Sequence, residues 1–360
     1  MPRCLWLAPS LGVMALLLAS TGSAAELVFT REGFDALERQ LGMTRTFEGA
    51  TADTFAWGES YMLRGYLEMY LATRDEEYLR RLVRVADAIL ETRDDRKAAR
   101  EGRRAAPVWS LSGHYTVARL VVKDTRGRDA LLLRSIRYAY NNQTEVTVTP
   151  GAQPGTFTLA HRNEFWQAHG PAEATYTNLS LDPASPRYFE RVINDPSYVT
   201  DERFARSKEA PEPASFLLVA TDLRRQKRRD DRLAPLGPTL LVPGTVAYYG
   251  YLGPIFAPMT RFAALVLKTP SLQARFGEAA RRYLRAARES LEAYERCWRR
   301  GPGPDEGHYL LIEKGADFWC DGIMAPFNYL GSTGQVLANL WDWQQDRETH
   351  DKLRRLANLL

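Results

Sequence analysis

Residues 54–92 read TFAWGESYMLRGYLEMYLATRDEEYLRRLVRVADAILET. Leu63, Tyr66, Leu67, Tyr70 and Leu71 recur at helical spacing in the first half of the stretch. Tyr78, Leu79, Leu82, Val85, Ala86 and Ile89 do so in the second. Apolar residues three and four apart put one continuous stripe on a helix, and the Thr73-Arg74-Asp75 break separates two such helices. A short polar turn between two amphipathic helices predicts an antiparallel αα-hairpin. The chain closes on a second pair of helical segments, 332–343 and 348–360. The motif LRRL falls in the second helix of each pair, at 79–82 and again at 353–356. Like hairpins at both ends predict repeated units that close on each other.

Between the hairpins the pattern changes. From Pro107 onward 115–123, 144–149 and 156–162 alternate with period two, and 216–221 (FLLVAT) reads as a buried strand. These segments predict an antiparallel β-rich insertion over 110–222. A Pro/Gly/basic linker follows over 223–257, and helical character returns over 258–360 with 258–268 and a long helix near 271–298. A short amphipathic helix around Phe34–Leu41 belongs to the N-terminal helical part, 26–109.

The chain has 360 residues, of which 45% are hydrophobic, enough for a large core. Residues 1–25 (MPRCLWLAPSLGVMALLLASTGSAA) carry an early Arg3, an apolar run and small residues at the end. That is the pattern of a secretory signal peptide, so the expectation is an exported, periplasmic or extracellular protein with no membrane span in the mature chain. Net charge is +4, and the basic clusters Arg96–Arg104 and Arg224–Arg232 lie between periodic segments. Export and the absence of a binding motif argue against a nucleic-acid partner. No CxxC, HExxH or paired histidines suggest a metal site, and no cofactor is expected. Cys297 and Cys320 could form a disulfide after export or stay as buried thiols.

Residues 306–343 read EGHYLLIEKGADFWCDGIMAPFNYLGSTGQVLANLWDW. His308, Tyr309, Trp319, Asp321, Asn328 and Tyr329 crowd a glycine-containing loop that runs into a helix. Aromatic faces stack on sugar rings, and acid and amide groups bond hydroxyls, so these residues are expected to line a glycan cleft, with Trp319, Asp321 and Tyr329 facing it together. Glu59 at a helix start, with Tyr61 and Arg64 after it, is a candidate acid or base if burial raises its pKa. Trp109 and His114 lie at the helix-to-sheet junction, where pockets form. Arg261 could clamp a carboxylate.

WGESYMLRGYLEMYLATRDEEYLRRLVRVADAIL (57–90) resembles the first inner–outer helix pair of α/α-toroid carbohydrate proteins. APFNYLGSTGQVLANLWDWQQD (325–346) resembles the C-terminal toroid segment of D-glucuronyl C5-epimerase-like proteins, through Pro326, Tyr329, Gly331, Gly334 and Gln335. Those epimerases carry their β-rich part ahead of the helices, whereas here it interrupts them. The resemblance implies an α+β chain built as an incomplete α/α toroid of about six or seven helices with a β insertion. It implies a monomer acting on an acidic, uronate-containing polysaccharide by C5 epimerisation or β-elimination. Glu59, His114, Tyr329 and Asp321 would be the catalytic groups. Tyr61, Arg64, Trp109, Arg261, His308, Tyr309, Trp319 and Asn328 would bind substrate. Both reactions begin by removing the C5 proton, with an Arg neutralising the carboxylate and a Tyr acting on the other face if a nearby cation lowers its pKa. Hydrolysis would need two carboxylates about 5–10 Å apart, for which Glu59 and Asp321 are the pair. The alternative is a non-catalytic glycan-binding or cell-envelope scaffold protein, which needs only aromatic faces on its surface. Residues 175–199 (TYTNLSLDPASPRYFERVINDPSYV) are also similar to a short piece of contractile tail-sheath proteins.

Overall fold

The computed structural model describes residues 30–41, 47, 50–111, 113–135, 140–167, 173–195, 218–227, 231–314, 320 and 322–360. Residues 1–25, expected to be a signal peptide, lie outside them.

Among the described residues the helices of six residues or more are α1 (Arg31–Leu41), α2 (Ser60–Thr73), α3 (Glu77–Glu91), α4 (Asp94–Arg100), α5 (Phe189–Asn194), α6 (Leu252–Lys268), α7 (Pro270–Ala293), α8 (Phe327–Gln344) and α9 (Arg347–Leu359). Three helical hairpins, α2–α3, α6–α7 and α8–α9, stand side by side. Their first helices form one layer, with α2 and α8 each packed on α6. Their second helices form an outer layer. The division follows from composition. α6 is covered on several sides and buries Leu252, Ile255, Phe256, Met259, Phe262 and Val266. The outer helices α3 and α7 bury one stripe and show a charged face to water. Gly253 of α6 sits where an added Cβ would meet the Thr333 backbone nitrogen of α8 at 2.7 Å, so only glycine lets these helices approach so closely. Arg93 joins two helices of the outer layer. It is buried, and it bonds Asp95 at 2.7 Å, Glu289 at 2.7 Å and the Ala286 carbonyl at 3.1 Å, tying the end of α3 to α7.

The face read from spacing is the face that packs: Leu63, Tyr66, Leu67 and Tyr70 of α2 are buried and Leu71 partly so, and the six residues read on α3, Tyr78, Leu79, Leu82, Val85, Ala86 and Ile89, are all buried. The toroid is not what the chain forms. It is an α+β protein with three antiparallel sheets among the described residues, and its first layer is an open row, α2–α6–α8, rather than a ring. The first and last hairpins do not close on each other, because α6 lies between them. The LRRL echo has a simpler cause. In α3 and α9 it belongs to an outer helix that lays leucines on an inner one.

The β unit leaves and rejoins the helices through a narrow neck. Ser110 bridges Ala247, the Leu111 amide donates to the Val246 carbonyl at 2.8 Å, and Thr116 Oγ1 donates to the Gly244 carbonyl at 2.9 Å. Its strands are β1 (Ala118–Lys123), β2 (Asp129–Ser135), β3 (Thr144–Pro150), β4 (Thr156–Asn163), β5 (Glu173–Ser180), β6 (Val219–Asp222), β7 (Leu236–Leu240) and β8 (Val242–Pro243). One antiparallel sheet runs β6-β2-β1-β8 and the other β5-β4-β3-β7. Leu241 alone separates β7 from β8, so the expected linker supplies an edge strand to each sheet. Val122, Leu131 and Leu133 from one sheet and Val146, Leu159 and Leu179 from the other share a core with Phe189, Val192 and Ile193 of α5. The sheath-like stretch is part of this unit, with Leu179, Leu181, Tyr188 and Phe189 buried in it. A small hairpin, β9 (Trp298–Arg300) and β10 (Gly307–Tyr309), leads back to the helices and packs on α9.

Among the described residues one helical stretch, Tyr249–Lys268, is long and apolar enough to cross a membrane, and 78% of it is buried inside the protein. It is the middle helix of the first layer. Cys297 and Cys320 are both buried and are not joined in a disulfide.

Candidate functional site

The chain enters α2 through a helical turn, Ala52–Thr54, and a π-helical turn, Phe55–Glu59. π-helical turns inside helices occur frequently at functional sites because they re-aim side chains. Trp57 in this turn meets Tyr329 in the first turn of α8, with ring centroids 5.2 Å apart. The Tyr248 and Tyr329 hydroxyls interact, and Tyr248 packs edge-on against Tyr251 at 4.9 Å. A Cβ on Gly250 would lie 2.5 Å from the Tyr248 ring and 3.0 Å from the Tyr329 ring, so glycine makes room for the aromatic cluster. The starts of α2, α6 and α8 therefore converge on one group of rings.

Outward from this cluster lies an exposed apolar and cationic face. Tyr61 is 54% exposed and Phe327 56%, with Ile323 and Met324 also exposed. A solvated surface has little reason to carry such a run of large apolar side chains unless something covers it. Tyr61, Arg64 and Glu68 share one side of α2 at positions i, i+3 and i+7. Arg64 is half-buried and has no ion-pair partner among the described residues. Asn328 is exposed on the first turn of α8.

Glu59 points elsewhere. Two residues before Tyr61 on a helix is nearly half a turn away, and Glu59 instead shares its side with Phe55 and Leu63, both fully buried. It is 7% exposed, and its Oε2 has no hydrogen-bond partner among the described residues. Burial without a compensating charge pushes its pKa up to about 7. It is the tuned carboxyl that the sequence suggested, set into the core side of α2 rather than beside Tyr61. Tyr329 also departs from expectation. The acid–base reading asked for a lowered pKa, but burial raises it, so its hydroxyl stays protonated and can only donate or accept as a neutral group.

Three expected substrate contacts are corrected by their surroundings. Trp109 is 2% exposed, its indole N–H donates to Thr92 Oγ1 at 3.0 Å, and its ring packs on Phe256 at 5.4 Å, so it is core. Tyr309 is fully buried and stacks on Tyr249 at 4.4 Å. Arg261 is already held in an exposed ion pair with Glu68, more than two turns along α2 from Glu59. His308, next to Tyr309 on β10, lies across from Arg299 in the hairpin against α9; burial and that arginine hold its pKa below the usual histidine range. Trp319, Asp321 and the His114 side chain lie outside the described residues. Trp57, Tyr248, Tyr251 and Phe327 belong to the cluster and its face but were not among the expected site residues. The run AYYGYLGP at 247–254 carries the same aromatic–glycine signal as the C-terminal loop.

Among the described residues no group of histidine, cysteine, aspartate and glutamate is arranged to hold a metal ion. No protein-family model matches the chain, and no curated protein matches it. The resemblances to C5-epimerase-like and tail-sheath proteins therefore rest on the quoted residues alone.

Proposed function

We propose that the protein is an exported glycan-binding protein whose ligand is an acidic, uronate-containing polysaccharide. The observation that carries this reading is the exposed face at the starts of α2 and α8. It combines the rings of Tyr61 and Phe327, backed by Trp57 and Tyr329, with the half-buried cation of Arg64, which has no ion-pair partner among the described residues. Ring faces suit the C–H faces of sugars, and an unpaired arginine suits a carboxylate. Binding is favoured over chemistry because Glu59, the one carboxyl among the described residues with a strongly raised pKa, faces the core side of α2, and Tyr329 is shifted away from acting as a base.

A second reading keeps the enzyme. A carboxyl with pKa about 7 is half ionised at neutral pH, which suits proton abstraction at C5 in epimerisation or β-elimination. The two readings part in one experiment. The protein is incubated with a panel of uronate polymers in heavy water. Affinity electrophoresis reports binding, absorbance near 230 nm reports elimination, and deuterium incorporation reports epimerisation. The binding reading expects retardation that weakens with salt, no absorbance change and no deuterium. Deuterium at C5, or a rising absorbance, would make it an enzyme. No retardation by any acidic polymer would remove both.

A further inference from the structure

The turn that leads into α2 has two ways to close. Over Phe55–Glu59 it is π-helical, and the Ser60 amide donates to the Phe55 carbonyl, five residues back. An α-helical turn would send that amide to the Ala56 carbonyl instead. Here the Ser60 hydroxyl donates to the Ala56 carbonyl, at 2.7 Å. The buried Ala56 carbonyl thus has a partner in either arrangement, the wide turn or the tight one. A Cβ built on Gly58 would meet nothing within 4 Å, so the backbone there has room to move. Going from the wide turn to the tight one removes one residue from the loop and rotates the turn by about 100° against α2.

Two side chains ride on this turn. Trp57 is the ring set against Tyr329, behind the exposed face. Glu59 is the buried carboxyl. The groups around it decide which charge state the wide turn accepts. α6 packs on the turn and carries no charged residue from Leu252 to Thr260. α8 brings the neutral Tyr329 hydroxyl. On α1, Asp35 and Glu38 are held by Arg81, and Glu38 also accepts from Tyr66. Arg64 is five residues further along α2, nearly half a turn round from Glu59. Asp53, six residues before Glu59, is a second carboxyl and brings no positive charge. Among the described residues no cation is paired with Glu59 and its Oε2 has no hydrogen-bond partner, so the wide turn holds it as the neutral acid. We propose that this turn is a proton-operated switch: with Glu59 neutral it stays wide and holds Trp57 behind the ligand face, and with Glu59 ionised it tightens, carries the carboxylate toward water and draws Trp57 off Tyr329. Its effect on binding rests on the glycan reading above. The gap between an ordinary value of about 4.5 and about 7 in the wide turn shifts the balance between the two turns by up to about 300-fold. Ionisation destabilises the wide turn, so the ligand face is intact at acid pH and loosened at alkaline pH.

The test uses the full chain labelled with 5-fluorotryptophan and followed by fluorine NMR without ligand, from about pH 5 to 8.5. Trp57→Phe assigns the Trp57 resonance. That resonance should move with a single midpoint near or just below pH 7. In Glu59→Gln it should stay at its acid position throughout, and in Asp53→Asn it should still move. Ser60→Ala, which removes the hydroxyl that satisfies Ala56 in the wide turn, should push the resonance toward its alkaline position at every pH. Isothermal titration with polygalacturonate, whose carboxylates stay ionised across this range, reads the consequence. Binding should be at least five-fold weaker at pH 8.5 than at pH 5 in the wild type, because only the wide-turn fraction binds, and equal at the two values in Glu59→Gln. A Trp57 resonance that does not move with pH overturns the switch, and so does one that moves equally in Glu59→Gln. Polygalacturonate binding whose pH dependence survives Glu59→Gln overturns its control of the face. A moving Trp57 resonance that Glu59→Gln arrests, with no polymer bound at any pH, supports the switch and overturns the glycan reading instead.

Discussion

Replacing Glu59 by glutamine should make the helical layers more stable at alkaline pH and leave them nearly unchanged at acid pH. Burial raises the folded-state pKa of Glu59 from an ordinary value of about 4.5 to about 7. In the unfolded chain the same carboxyl ionises near its ordinary value. Between pH of about 4.5 and about 7 the unfolded state has therefore lost its proton while the folded state keeps it. Wild-type stability falls across that window and stays low above it. A difference of about 2.5 pKa units, at about 1.36 kcal/mol each, comes to roughly 3 kcal/mol. Glutamine resembles the protonated acid and does not titrate, so the variant escapes the loss. Thermal unfolding followed by circular dichroism at pH 4 and pH 8 reads the effect. At roughly 2–4 °C per kcal/mol for a unit of 150–250 residues, the variant should melt close to wild type at pH 4 and about 6–12 °C higher at pH 8. Equal melting temperatures at both values would refute the reasoning, and so would a variant less stable at pH 8. The second result would mean that Glu59 is ionised in the fold and held by a partner.

Two further outcomes follow from the packing. Arg93→Ala should destabilise the helical layers by about 2–3 kcal/mol, below the full cost of breaking a buried pair because Asp95 and Glu289 can rehydrate; urea unfolding measures it, and a loss under about 0.5 kcal/mol would place Arg93 among ordinary surface charges. Cys297 and Cys320 should react with a thiol reagent only after denaturation, with no change in melting temperature on reduction; a reductant-sensitive transition would show a bridge that the fold does not contain.

The parts of the fold that were legible in the sequence are those where one period dominates. The α2 and α3 stripes could be read because residues three and four apart bury together, and β3 and β4 because alternate residues do. β2 was missed since Leu131, Leu132 and Leu133 do not alternate. β7 and β8 read as linker in the sequence because each holds a proline, Pro238 and Pro243, yet proline is tolerated on edge strands. The toroid failed for a different reason. A periodic stripe says which face a helix buries, not how many hairpins join or whether the row closes. The same limit holds at the site. Tyr61, Arg64 and Tyr329 were visible from composition and spacing. Their neighbours Trp57 and Tyr248 were not, because the cluster is assembled from three separate elements. Tyr309 was misassigned because the surrounding segment looked polar. On a short strand, adjacent residues face opposite ways, and this one faces the core.

The most direct test of the central claim is the affinity of the wild-type chain, Tyr61→Ala and Arg64→Ala for a uronate polymer and for a neutral polymer of similar length, by isothermal titration at low and moderate salt. A glycan face at the starts of α2 and α8 predicts that Tyr61→Ala weakens uronate binding by about 1–2 kcal/mol, roughly ten-fold, with an unchanged melting temperature. It predicts that Arg64→Ala narrows the preference for the acidic polymer and flattens the salt dependence. Uronate binding that is absent in the wild type, or present and indifferent to both substitutions, would contradict it.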